Sequence, residues 1–160
     1  MSPLATKHTA SGRKPGSAGQ ARLDVIRESL TKAGMRRTAP RLAVLRKLVE
    51  ASIPLSHSDM VDLLASEGFD STTVYRNLKD LADAGLVTRR DLGDHTWRYE
   101  LTRDGEPHAK GHPHFLCEDC GAVACLDSSR VNISAGPGVP RSVGKGGVEI
   151  QLKGRCDRCQ

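Results

Sequence analysis

The chain has 160 residues, with 24 Lys and Arg against 19 Asp and Glu, and is 38% hydrophobic but only 3% aromatic. That length fits one compact domain or two small ones and excludes a large enzyme with a deep core. No apolar stretch approaches the roughly 20 residues needed to span a bilayer, and residues 1–20 lack the apolar segment of a secretory signal. The expectation is a cytoplasmic protein without a membrane partner, whose five cysteines stay reduced and serve metal or redox chemistry rather than disulfides.

Charge is distributed unevenly. Lys7, Arg13, Lys14 and Arg22 precede the first acid and account for four of the net five positive charges. Residues 1–21, rich in Ser, Gly, Ala and Thr, read as a disordered basic tail. Helical periodicity then starts at Leu23, Ile26 and Leu30 and stops at Gly34. Thr38 is placed to cap a second helix, with Pro40 in its first turn and Leu42, Leu45, Leu48 and Val49 as its apolar stripe. Ser56, followed three residues later by Asp59, predicts a capping box for a third helix carrying Met60, Val61, Leu63 and Leu64, with Gly68 behind it.

A fourth helix is expected from about Ser71 to Ala84, with Val74, Leu78 and Leu81 inward and Gly85 at its end. Leu86 to Asp91 and Thr96 to Leu101 read as two strands joined by a hairpin through Gly93. Alternation puts Arg98 and Glu100 on the solvent face of the second strand and Trp97, Tyr99 and Leu101 on the other. Short helices followed by a hairpin describe a winged helix-turn-helix over residues 22–102. Residues 103–113, polar with Pro and Gly, read as a hinge. Within 114–160, Phe115 to Asp127 and Val148 to Gly154 look extended, and Val131 to Gly147 shows no regular pattern. The expected fold class is α+β.

Two motifs carry chemistry. Cys117-Glu-Asp-Cys120 and Cys156-Asp-Arg-Cys159 are separated by 35 residues. Two such hairpins can close a tetrahedron of thiolates around a structural zinc, which would staple a region too small to hold itself together. The second motif is Ser71-Thr72-Thr73-Val74-Tyr75-Arg76-Asn77-Leu78-Lys79, where Thr72, Thr73, Tyr75, Arg76 and Lys79 can face outward while the aliphatic side chains pack inward. Small hydroxyls permit close approach to DNA, and Tyr and Arg offer apolar contact, guanine readout or phosphate contact. A nearby basic set, Arg36, Arg37, Arg41, Arg46 and Lys47, is suited to phosphates.

In Met35-Arg-Arg-Thr-Ala-Pro-Arg-Leu, Thr73-Val-Tyr-Arg-Asn-Leu, Ala84-Gly-Leu-Val, His112-Pro-His-Phe-Leu-Cys-Glu-Asp-Cys-Gly and Gly154-Arg-Cys-Asp-Arg-Cys, the chain resembles the ferric uptake regulator family over residues 22–160. The resemblance implies a homodimeric, metal-responsive repressor of double-stranded operator DNA, with an N-terminal winged helix and a C-terminal zinc-stapled dimerisation domain. It implies DNA contacts for Tyr75, Arg76 and Arg41, and structural-zinc ligation for the four paired cysteines. It also implies a second divalent metal held by Glu100, His112, His114 and Cys125 where the two domains meet. Cys125 stands where the family usually has a carboxylate, and Pro54 where it often has a histidine ligand; His57 and His95 are reserve ligands. A thiolate among imidazoles and a carboxylate suits zinc better than iron or manganese, so the zinc-uptake-regulator branch is the expectation. The alternatives are an iron, manganese or peroxide sensor, or a DNA-binding protein with structural zinc alone. A zinc enzyme would need an open coordination site and a general base, and no hydrolytic signature is present.

Overall fold

A computed structural model describes residues 17–102, 113–127, 131, 136–144 and 150–160. Most of the basic tail and of the hinge, with His112, lies outside the described residues. The elements in order are α1 (Ser17–Lys32), α2 (Ala39–Glu50), β1 (Leu55–Ser56), α3 (His57–Leu64) with a following 3-10 turn (Ala65–Glu67), α4 (Ser71–Asp83), β2 (Val87–Asp91), β3 (Trp97–Leu101), β4 (His114–Cys117), β5 (Val123–Cys125), α5 (Arg141–Gly144) and β6 (Gln151–Gly154).

The N-terminal core forms where the apolar stripes of α1 to α4 converge on the wing sheet. Leu30, Val44, Leu45, Met60, Leu64, Val74, Leu78 and Leu81 are fully buried there, with Val87 and Tyr99 closing the sheet side. Local chemistry sets the helix starts. Ser56 Oγ accepts from the Asp59 amide at 3.1 Å, and Asp59 returns the bond by accepting from the Ser56 amide at 2.8 Å. Asp70 caps α4 by accepting from the Thr73 amide at 2.8 Å. Gly85 follows α4 with φ +71°, a left-handed conformation that glycine adopts without strain.

Three expectations are corrected. The first helix begins at Ser17, inside the segment read as tail, because Ala, Gln and Arg ahead of Leu23 are good helix formers although they add no apolar stripe. The wing sheet has a third strand, since β1 pairs with β3 (Leu55 opposite Tyr99, Ser56 opposite Arg98) and the order is β1-β3-β2. That makes β3 central, and burial departs from the expected pattern at two positions along it. Arg98 is only 7% exposed, its guanidinium donating to both carboxylate oxygens of Asp94 at 2.8 Å, whereas Trp97 at the start of the strand is 48% exposed.

In the C-terminal part, β4 is the middle strand of β5-β4-β6, antiparallel to β5 and parallel to β6. A parallel pair requires a crossover, and the four-residue α5 lies on it, in the segment expected to lack regular structure. Among the described residues, no helix is long and apolar enough to cross a membrane.

Candidate metal centre and nucleic-acid interface

The parallel register of β4 and β6 sets Cys117 beside Gly154, so the turns that follow both strands start side by side. In the first turn, the Gly121 amide donates to the Cys117 carbonyl at 2.9 Å; in the second, the Cys159 amide donates to the Cys156 carbonyl at 2.8 Å. The ligand atoms of Cys117, Cys120, Cys156 and Cys159 all lie within 4.8 Å of one another, and the Cys120 and Cys156 sulfurs are 3.7 Å apart. A tetrahedron with Zn–S bonds of about 2.3 Å has edges of about 3.8 Å, so this donor set fits a zinc ion.

Electrostatics favour the same conclusion. Backbone N–H groups, that of Cys120 first and then that of Cys156, lower the Cys117 thiol to about 6. Hydrogen bonds with the neighbouring thiols, Cys120 foremost, push Cys159 up to about 12. Backbone N–H groups thus favour the thiolate at Cys117 and, through that of Arg158, at Cys156, and metal binding displaces the thiol protons that remain. An ion pair between Arg155 and Asp119 at 3.1 Å ties the two turns together outside the sulfurs.

On α4, Thr72, Tyr75, Arg76 and Lys79 are exposed while Val74, Leu78 and Leu81 are fully buried. Thr73 is half-buried and its hydroxyl donates to the capping Asp70 at 2.5 Å, so it serves the helix start. That same bond is the first cause holding Asp70 below the usual carboxylate range. The His57 ring meets Tyr75 edge-on, with centroids 5.7 Å apart, and its Nε2 lies 3.0 Å from the Ser71 carbonyl oxygen. His57 therefore supports the start of α4. Lys79 pairs with Asp83 at 2.5 Å, which raises its pKa.

The basic set on α2 is more committed than its sequence indicates. Arg41 spans to α4, donating to Asp80 at 2.9 Å and to the Arg36 carbonyl at 2.8 Å, with its side chain only 12% exposed. Arg46 pairs with Glu67, and Lys47 with Glu50 at 3.8 Å. Among the described residues, Arg36, Arg37 and Arg76 carry no ion pair.

Where the wing meets β4, the Glu100 carboxylate lies 3.9 Å from His114 Nε2. His114 is 1% exposed, and Cys125 sits directly opposite it in the β4–β5 ladder. Glu100 and Cys125 also line a cavity of about 240 Å³, together with Arg90 and Asp127, two residues for which the sequence carried no signal. Arg90 Nε donates to Glu100 at 3.0 Å. Three of the four expected ligands thus gather at one seam, and His112 lies outside the described residues. His95 does not join them: its side chain is 99% exposed on the hairpin, with Nδ1 3.9 Å from Asp91. Among the described residues, the four paired cysteines are the one set of three or more ligand side chains gathered at coordinating distance.

The ferric uptake regulator family matches residues 32–135. The ferric uptake regulation protein of Bacillus subtilis is 33% identical over 105 residues, which cover 64% of this chain and 69% of that protein. Its counterpart from Escherichia coli K12 is 37% identical over 98 residues, covering 59% of this chain and 63% of that one. The crystal structure of the Vibrio cholerae ferric uptake regulator, at 24% identity, shares the fold with a TM-score of 0.60 over 82% of this chain and 99% of its own. The chain belongs to the ferric uptake regulator family, whose members are metal-responsive transcriptional regulators and not enzymes.

Proposed function

We propose that the protein is a zinc-responsive repressor that binds operator DNA as a homodimer. In this reading residues 22–102 form the DNA-binding unit, 103–113 the hinge and 114–160 the dimerisation unit. The observation that carries the sensing role is the approach of Glu100, on the wing, to His114, on the first strand beyond the hinge, at 3.9 Å. A divalent ion at this seam supplies a positive charge that accepts donors from both sides. Glu100 contributes from the wing, and His114 and Cys125 from the adjacent strands β4 and β5, so ligation ties the wing to the C-terminal sheet. In a dimer that tie fixes the angle between the two copies of α4, and it favours the DNA-competent state in proportion to the ion's differential affinity for that state. The thiol of Cys125 selects a borderline ion such as zinc over the harder manganese.

Cys125→Ser and His114→Ala are each expected to lose a second, weaker zinc equivalent and to need about tenfold or more additional free zinc for operator binding. The structural equivalent should remain. Zinc, ferrous iron, manganese and nickel titrated separately should show zinc acting at the lowest free concentration. Retention of the second equivalent and of the full zinc response by both variants would place the sensor elsewhere.

On DNA, Tyr75 and Arg76 are the principal contacts, with Thr72 and Lys79 beside them and Arg41 holding α2 against α4. Arg76→Ala should cost about 1–3 kcal/mol and relax specificity at one base position if Arg76 reads a base. If it meets only phosphate, affinity should fall evenly across sequences and the salt slope should drop. Unchanged affinity at every salt concentration would exclude both contacts.

A further inference from the structure

The chain has one tryptophan, and the fold does not bury it: Trp97 is 48% exposed at the start of β3. Nor is it isolated. The Arg89 guanidinium lies over its ring, 3.9 Å from the centroid. Arg89 stands directly opposite Tyr99 in the β2–β3 ladder, so Arg89, Trp97 and Tyr99 share one face of the wing. Burial pushes the Tyr99 phenol up, while the charge and hydrogen bond of Arg89 pull it the other way and the neighbouring Tyr75 of α4 adds to the rise. α4 packs against β2, and on its exposed face Tyr75 is 44% exposed.

Its charge is also one-sided. Asp91 is the acid on this face of β2 and β3, and its Oδ1 is turned into the hairpin, accepting from the Gly93 amide at 2.7 Å and the His95 amide at 3.1 Å. Among the described residues Arg89 has no carboxylate partner. A planar guanidinium stacked on an aromatic ring loses little freedom when it binds an anion. An indole left half in water gains when a sugar or base edge covers it.

We infer that the Arg89–Trp97 pair is a second DNA contact beside α4, with Arg89 on a backbone phosphate and the free edge of Trp97 on the adjoining deoxyribose. The inference rests on the DNA-binding reading above and extends it to the wing. Trp97 is both a contact and a positioning residue, since its ring holds Arg89.

Because the chain has a single tryptophan, its emission reports on this site without any substitution. Adding a mixed-sequence DNA duplex to the zinc-loaded protein at low salt should shift the emission and protect Trp97 from iodide quenching. Arg89→Ala should lower affinity for all sequences alike and reduce the slope of log affinity against log salt by about one. Trp97→Phe, which retains a ring under Arg89, should keep most of that slope, and Trp97→Ala should not. If the duplex binds and weakens with Arg76→Ala, while iodide access to Trp97 and the Arg89→Ala slope stay unchanged, the wing contact is wrong and the DNA reading stands. Absence of any duplex binding by the unaltered protein would overturn both. Protection of Trp97 without DNA that disappears on dilution would assign the face to a second copy of the chain and overturn the inference.

Discussion

Replacing Cys156 with serine should strip the chain of its structural zinc and, with it, the C-terminal fold. The described strands there are three or four residues long, and Gln151, Leu152 and Lys153 of β6 are all exposed. Side-chain burial along β6 is therefore too slight to hold it against β4. What joins them beyond the ladder is the sulfur cluster, where the Cys156 amide also donates to Cys117 Sγ at 3.4 Å. Structural zinc sites of this kind contribute on the order of 10–16 kcal/mol of apparent binding energy, most of it expressed as folding. Three thiolates and a hydroxyl form a much poorer donor set for zinc. Metal analysis of the purified variant should show one equivalent lost, and light scattering should show loss of the dimer. Cys125→Ser, outside the cluster, should keep the structural zinc and the dimer. A zinc-free Cys156→Ser protein that remains folded and dimeric would refute the cross-link.

Asp94→Asn is expected to destabilise the wing by about 2–3 kcal/mol at neutral pH, below the range for fully buried pairs because Asp94 keeps some contact with water. Arg98 is 7% exposed and bonded at 2.8 Å to each Asp94 oxygen. Asparagine returns one acceptor, turns an amide nitrogen toward the guanidinium, and leaves that cation without a counter-charge. The effect carries a pH signature. The Arg98 hydrogen bond is the first cause holding the Asp94 carboxyl below its ordinary value of 3.8. A carboxyl depressed by folding stabilises the native state above its unfolded pKa, and that contribution fades as pH falls through the lower, folded value. Urea unfolding should therefore separate the two proteins at pH 7 and bring them together in strong acid. Equal unfolding midpoints at pH 7 would show that the pair contributes nothing to the wing. Because Arg98 is paired in register with Ser56, the cap of α3, the variant should also lose affinity for DNA as the reading helices loosen.

The sequence by itself determined whatever depends on neighbours within a turn or two. Leu, Val and Met at helical spacing placed the inward faces of α2, α3 and α4, since period 3.6 is a local property. Ser56 with Asp59 announced the start of α3, since both halves of a capping box lie three residues apart. The two Cys-x2-Cys pairs declared a metal site because each turn is self-contained, leaving only the pairing of the turns to the fold. Tertiary structure decided the rest. A two-residue strand such as β1 has no periodicity, yet its pairing makes β3 central and puts Arg98 inside with Asp94 as its partner. Arg41 looked like a free cation until α4 brought it Asp80, 39 residues later in the chain. Glu100 and His114, on either side of the hinge, came within 3.9 Å only through packing of the wing against β4. Trp97 and Arg89 were unremarkable as isolated letters, and the β2–β3 register stacked them. Such contacts depend on strand order and long-range pairing, and no local spacing encodes either.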